Sequence, residues 1–177
     1  MKKVRIVLFI IAIYLFIYFL QVNFFSWFNI RGVQPNLVAV LVLFIGLYTN
    51  SRFGSISGFF IGLYTDFLFS DSVGISAVLY AAVGYSGEFL QKRFPKNSKI
   101  TLIIMSSITT SAYEIIRACY RYLFFSSYIG FIAFFITLAI ELLFNTLLVI
   151  IFYPLINKTG AVIDDTFNGN DTITKYF

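Results

Sequence analysis

Six long apolar stretches, separated by short polar connections, run along this chain. Each approaches the roughly 20 residues that a helix needs to cross a bilayer, so the pattern predicts membrane-spanning helices. We place them at residues 4–23, 35–50, 53–69, 73–90, 100–123 and 129–156. The expected fold class is an all-α integral membrane protein with about six transmembrane helices in a compact bundle. Residues 1–157 would form one polytopic domain, followed by a short polar cytoplasmic tail at 158–177.

The connections 50–52 and 70–72 are so short that spans two, three and four are expected to form successive antiparallel hairpins. The second span is the least regular of the six. Its apolar core, Leu37 to Leu47, covers only about 16 Å, against a hydrocarbon core of about 30 Å. Such a helix tilts little, thins the bilayer locally or is partly re-entrant, and these alternatives stay open at this stage.

Most positively charged residues lie on one side of the membrane in the predicted topology. With the amino terminus in the cytoplasm, only Arg31 and Arg121 fall near the outer side, and Arg117 lies within the fifth span. This asymmetry obeys the positive-inside rule and predicts that both termini are cytoplasmic. The inner set is Lys2, Lys3, Arg5, Arg52, Lys92, Arg93, Lys96, Lys99, Lys158 and Lys175.

The composition narrows the function classes. Charged residues make up 12% of the 177 residues, about half the soluble norm of about 25%, which again favours a membrane protein. With no His and the single Cys119, we predict no metal site and no disulfide framework. No nucleophile elbow, Walker loop or His-Glu metal helix is present, so no catalytic or cofactor-binding residue is expected. The basic residues form no separate basic domain, which argues against nucleic acid.

Small residues recur every four positions along the third span, as Gly54, Gly58 and Gly62, and the series ends in Asp66. Such spacing places them on one face of a helix, where small residues let helix backbones approach closely. Two interpretations stay open for the glycines: packing within this protein, or docking of another membrane protein.

Asp66 lies about 5 Å from the outer end of its span, which favours a structural role over a proton relay. We expect it either to pair with Arg31, Arg117 or Arg121, or to accept backbone hydrogen bonds from the start of the next helix, around residues 71–73.

A second polar group lies in the last two spans. Glu114, Arg117 and Arg121 follow i, i+3 and i+7 spacing and can form ion pairs along one helix face. Glu141 and Asn145 are four residues apart on a face that can meet them. The sequence predicts an internal polar cluster, as either a satisfied interhelical network or a ligand site.

Three motifs carry a family resemblance. Pro35-Asn36-Leu37-Val38 opens the second span, Gly58 to Asp66 lies in the third, and Gly74 to Tyr80 follows the next turn. Together they resemble the rod shape-determining protein MreD family, and the similarity in length and span pattern covers nearly the whole chain. Two positions depart from the family pattern: Asn36 stands where an acid is common, and Tyr64-Thr65 replaces a more aliphatic pair.

The resemblance implies a non-enzymatic scaffold in the bacterial inner membrane that binds MreC and acts in sidewall peptidoglycan synthesis. It also implies RodA, a class B penicillin-binding protein and MreB as further partners, together with membrane lipids. The fold it implies is similar to the S component of energy-coupling factor transporters. A substrate-binding S component of a vitamin transporter is therefore the alternative function. Those proteins dock through small residues in the first span, whereas Ile10 to Phe16 contains only Ala12, which favours the scaffold.

Overall fold

The computed structural model describes residues 2–25, 27, 35–69, 74–95, 98–125 and 130–168, and within these ranges the regular structure is helical, without a strand. Six α-helices follow one another, and a π-helical segment extends the first. The elements are α1 (Lys2–Phe19) with its π-helical extension (Leu20–Phe24), α2 (Leu37–Tyr48), α3 (Ser51–Phe69), α4 (Ile75–Arg93), α5 (Lys99–Phe125) and α6 (Phe131–Asn168).

The all-helical fold is confirmed, and a helix lies at each of the six predicted stretches. Two segments, Val4–Phe24 and Phe131–Phe167, are long and apolar enough to cross a membrane by length and composition. The helices α3 and α4 contain several Gly and Ser residues, which lowers their hydropathy. The number of helices that span the bilayer therefore stays a prediction.

Helix α2 lies at the centre of the bundle. Eleven of its 12 residues are buried, and it contacts each of the other five helices. A helix that is apolar all round is expected to be enclosed in this way. At about 18 Å it is too short to cross a hydrocarbon core of about 30 Å by itself. Both of its ends therefore need hydrogen-bond partners within the protein or at its surface.

Helix α6 is longer than the sequence analysis predicted. It contains Pro154 and continues to Asn168, so residues 158–168, which the sequence analysis assigned to the tail, are helical. The reason is visible in the packing, because Ile156, Ile163 and Phe167 recur at helical spacing and lie against the core. Residues 169–177, the rest of the predicted tail, lie outside the described residues.

Candidate functional site

The predicted glycine stripe of α3 lies directly against the backbone of α4. A Cβ atom added at Gly54 would lie 2.5 Å from the carbonyl oxygen of Gly84, far inside van der Waals contact. At Gly58 it would meet the carbonyl group of Tyr80, and at Gly62 that of Ser76. Helix backbones touch along the whole stripe, so this face is occupied by the protein's own chain. A partner helix has no room between α3 and α4.

Three further glycines complete this contact, and sequence reasoning did not single them out. Gly84 and Gly87 come from α4, and Gly46 comes from the last turn of α2. A Cβ at Gly87 would lie 2.6 Å from the amide nitrogen of Leu47, and one at Gly46 would meet the Gly84 carbonyl. The available signal was the spacing of small residues in spans two and four. We call the whole set the glycine seam: Gly46, Gly54, Gly58, Gly62, Gly84 and Gly87.

Asp66 holds one end of the α3–α4 hairpin. Its side chain is 0% exposed, and its Oδ2 atom accepts hydrogen bonds from the backbone amides of Gly74 at 2.8 Å and Ala77 at 3.3 Å. These amides belong to the first turn of α4, where no intrahelical acceptor exists. Backbone capping was one of the two roles predicted for Asp66, although the donors are Gly74 and Ala77. Residues 71–73, named in the prediction, lie outside the described residues.

Glu88 holds the opposite end of the same hairpin. Its Oε2 atom accepts a hydrogen bond of 2.5 Å from the backbone amide of Ser51, the first residue of α3. Its Oε1 atom lies 2.8 Å from the Nζ atom of Lys92. Each helix of the pair thus donates amide hydrogens at its N-terminus to a carboxylate from the other helix, where the helix dipole also favours negative charge. The two acids, Asp66 and Glu88, fix the register of the seam.

The buried N-terminus of α2 is the centre of a polar network. Asn36 caps the helix, because its Oδ1 atom accepts from the amide of Ala39 at 3.0 Å and from the hydroxyl of Tyr80 at 3.1 Å. The Asn36 amide in turn donates to Oδ1 of Asn145 at 3.2 Å. Asn145 is 1% exposed, and its Nδ2 atom donates to the hydroxyl of Thr110 at 3.0 Å. Side chains from α4, α5 and α6 therefore meet at the start of α2.

The π-helical end of α1 reaches the same place. The Oε1 atom of Gln21 accepts a hydrogen bond of 3.4 Å from the amide of Val38, the second residue of α2. Sequence reasoning identified Asn145 but missed Asn36, Tyr80, Thr110 and Gln21 as its companions. An Asn followed by an apolar helix is a typical N-cap signature, and this signal was present at Asn36.

The charged part of the predicted cluster lies beside this network. Nη1 of Arg117 is 3.4 Å from Oε1 of Glu114, and the Arg117 side chain is 50% exposed. Glu141 is 4% exposed and lies within hydrogen-bond reach of Glu114, close to Arg117. Arg121 is exposed one turn further along α5. The structure therefore brings Glu114, Arg117 and Glu141 together and places Asn145 with the α2 cap.

Stacked aromatic rings connect the two groups. The rings of Tyr80 and Tyr113 lie 5.4 Å apart with an interplanar angle of 17°. Tyr80 donates to Asn36, and Arg117 interacts electrostatically with both tyrosines. A continuous set of polar and aromatic contacts thus joins α2, α4, α5 and α6 inside the bundle.

The polar side chains of the network and the charged cluster make hydrogen bonds and ion pairs to one another within the protein. Among the described residues, no group of three or more His, Cys, Asp or Glu side chains could hold a metal ion. Within the same part of the chain, no buried side-chain nitrogen or oxygen lacks a hydrogen-bond partner. A satisfied polar network of this kind gives helices a unique arrangement where the hydrophobic effect between them is weak.

We expect Asn145→Leu to destabilise the protein by about 1–3 kcal/mol for each group left without a partner, namely the Asn36 amide and the Thr110 hydroxyl. Thermal unfolding in detergent, followed by circular dichroism, measures the loss. Thr110→Val removes only one of the two contacts and should cost less. Unfolding of Asn145→Leu at the wild-type temperature would contradict the role assigned to the network.

Comparison with known proteins adds one finding. The family model described as rod shape-determining protein MreD matches residues 1–159. The match includes the glycine seam, both capping acids and the polar network. No curated protein and no solved structure gives a match to the chain.

Proposed function

The chain belongs to the MreD family of rod shape-determining proteins, and from this premise we propose that it is a non-enzymatic membrane scaffold of the cell-elongation machinery. In this role it binds MreC and helps to organise sidewall peptidoglycan synthesis with RodA, a class B penicillin-binding protein and MreB. The observation that carries the proposal is the family match over 159 residues. The satisfied polar network supports it, because its groups are used in holding helices together.

We further propose that the chain passes through the bacterial inner membrane six times, with the short α2 enclosed by the other five helices and with both termini in the cytoplasm. Helices α3 and α4 have 19 residues each, about 28 Å, which approaches the hydrocarbon thickness. The start of α3, the end of α4 and the start of α5 lie on one side of this topology. Basic residues concentrate there, as the positive-inside rule requires: Arg52, Lys92, Arg93 and Lys99.

The glycine seam contributes to this function by fixing the shape of the scaffold. Contact with MreC through the glycine stripe was one interpretation of the sequence, and the backbone of α4 now occupies that face. We propose that MreC meets another face of the bundle, whose position the rigid α3–α4 hairpin determines. A rigid surface loses little conformational entropy on binding, which favours association.

A pull-down of the tagged protein from native membranes, analysed by mass spectrometry for proteins and small molecules, tests the proposal. We expect MreC to be enriched relative to a tagged membrane protein of unrelated function. A stoichiometric vitamin in place of MreC would overturn the scaffold and support the substrate-binding S component of an energy-coupling factor transporter. None of the described residues and none of the three comparisons favours that alternative, so we propose the scaffold alone.

A further inference from the structure

The last part of α6, residues 155–168, extends beyond what a membrane span requires. The helix has 38 residues, or about 57 Å, nearly twice the thickness of a hydrocarbon core of about 30 Å. The family match ends at residue 159, so most of this segment lies past the matched region. We call residues 155–168 the strap.

One face of the strap packs against the turn between α2 and α3. Ile156, Gly160, Ile163 and Phe167 follow spacings of four, three and four, which places them on the same side of the helix. Gly160 is buried, and a Cβ there would lie 2.5 Å from a carbon of the Tyr48 ring, at the end of α2. An added side chain at this position would therefore displace the Tyr48 ring.

The contact continues onto the first turn of α3. The ring of Phe167 lies 4.9 Å from the ring of Phe53, with an interplanar angle of 47°. The strap therefore contacts the residues that flank the α2–α3 turn on both sides.

The opposite face of the strap is open. Val162 is 63% exposed, and Lys158 and Asp165 are also exposed. The strap is thus attached by one face only, through the Gly160 contact, the Phe53–Phe167 ring pair and the packing of Ile156 and Ile163. Elements with few buried contacts open at lower free energy than the core to which they attach.

We propose that residues 155–168 form a separable strap that closes over the α2–α3 turn. The N-terminus of α2 is held by the polar network, and the strap holds its other end. This clamp opens without unfolding of the glycine seam, because Tyr48 and Phe53, which the strap contacts, are not members of the seam. The inference is independent of which partner the protein binds.

Disulfide cross-linking of the full chain in native membranes tests the closed state. In a Cys119→Ser background, we expect the pair Phe53→Cys and Phe167→Cys to cross-link on mild oxidation. The matched control pairs Phe53→Cys with Val162→Cys, on the open face of the strap, and should cross-link about tenfold less. Equal cross-linking of the two pairs, or none in the first pair, would overturn the proposal.

The variant Gly160→Leu tests whether the strap is separable. A branched side chain against the Tyr48 ring should lower cross-linking between positions 53 and 167 about tenfold, while the unfolding temperature of the bundle stays within a few degrees of the parent chain. Unchanged cross-linking, or loss of the whole fold, would show that residues 155–168 do not open separately from the bundle. If Gly160→Leu fails to fold, the cysteine pair at positions 53 and 167 without that substitution still tests whether the strap closes over the α2–α3 turn.

Discussion

Replacing Gly58 by alanine is expected to destabilise the protein by about 1–3 kcal/mol, the usual cost of forcing an added methyl group into a packed core. The new methyl group would lie 2.6 Å from the carbonyl carbon of Tyr80. Because this carbon belongs to the backbone, the clash is relieved only if α3 moves away from α4. The change also separates the helix ends that Asp66 and Glu88 cap. A single carbon atom therefore affects the whole hairpin.

Gly130→Ala is the matched control, because among the described residues a Cβ at Gly130 would meet no atom within 4 Å beyond those of its chain neighbours. The same methyl group is added at both positions, so the difference in unfolding temperature in detergent isolates the contact with α4. If MreC copurification falls with Gly58→Ala while stability is unchanged, the glycines hold the partner and our assignment to internal packing is wrong.

Asp66→Ala is expected to cost about 3 kcal/mol or more, since it removes two hydrogen bonds to a charged acceptor at about 1.5–3 kcal/mol each. The amides of Gly74 and Ala77 would then lose this acceptor at a buried position. Asp66→Asn keeps an oxygen acceptor of the same shape and should recover part of the stability. The ordering of wild type, Asn and Ala is the expected result.

The measurement is the unfolding temperature of the purified variants, together with the amount recovered from membranes. Asp165→Ala removes a carboxylate from the open face of the strap and serves as the control, with an expected change of less than about 0.5 kcal/mol. Equal stability of the Ala and Asn variants would show that the hydrogen bonds of Asp66 contribute little. Equal stability of Asp66→Ala and Asp165→Ala would reject the capping role altogether.

The two hairpin caps show how far sequence reasoning reached. Glu88 and Lys92 are four residues apart in one helix, so their contact is a local property of the sequence. The hydrogen bond from Ser51 to Glu88 joins residues 37 positions apart, and no local pattern signals it. Asp66 lies between these cases, because a short connection to the next helix made backbone capping one of its expected roles.

In the predicted polar cluster, too, some contacts follow from local spacing and others do not. Glu114 and Arg117 are neighbours on one helix face, so their contact is a local property. Asn145 was expected to join them through its position four residues after Glu141, yet its partners are Asn36 and Thr110. The difference arises because α2 begins inside the bundle, where its first amides need acceptors from other helices.

The amino-acid sequence by itself determined the helical fold, the positions of six helices and the face on which the α3 glycines lie. These depend on hydrophobic periodicity and small-residue spacing, which act within a single helix. Only the tertiary structure decided what that face contacts, which residues share a network with Asn145, and where α6 ends. Those outcomes depend on contacts between segments that are distant in sequence. The glycines of α3 lie against backbone carbonyl groups of α4, and the first amides of α2 need acceptors from other helices.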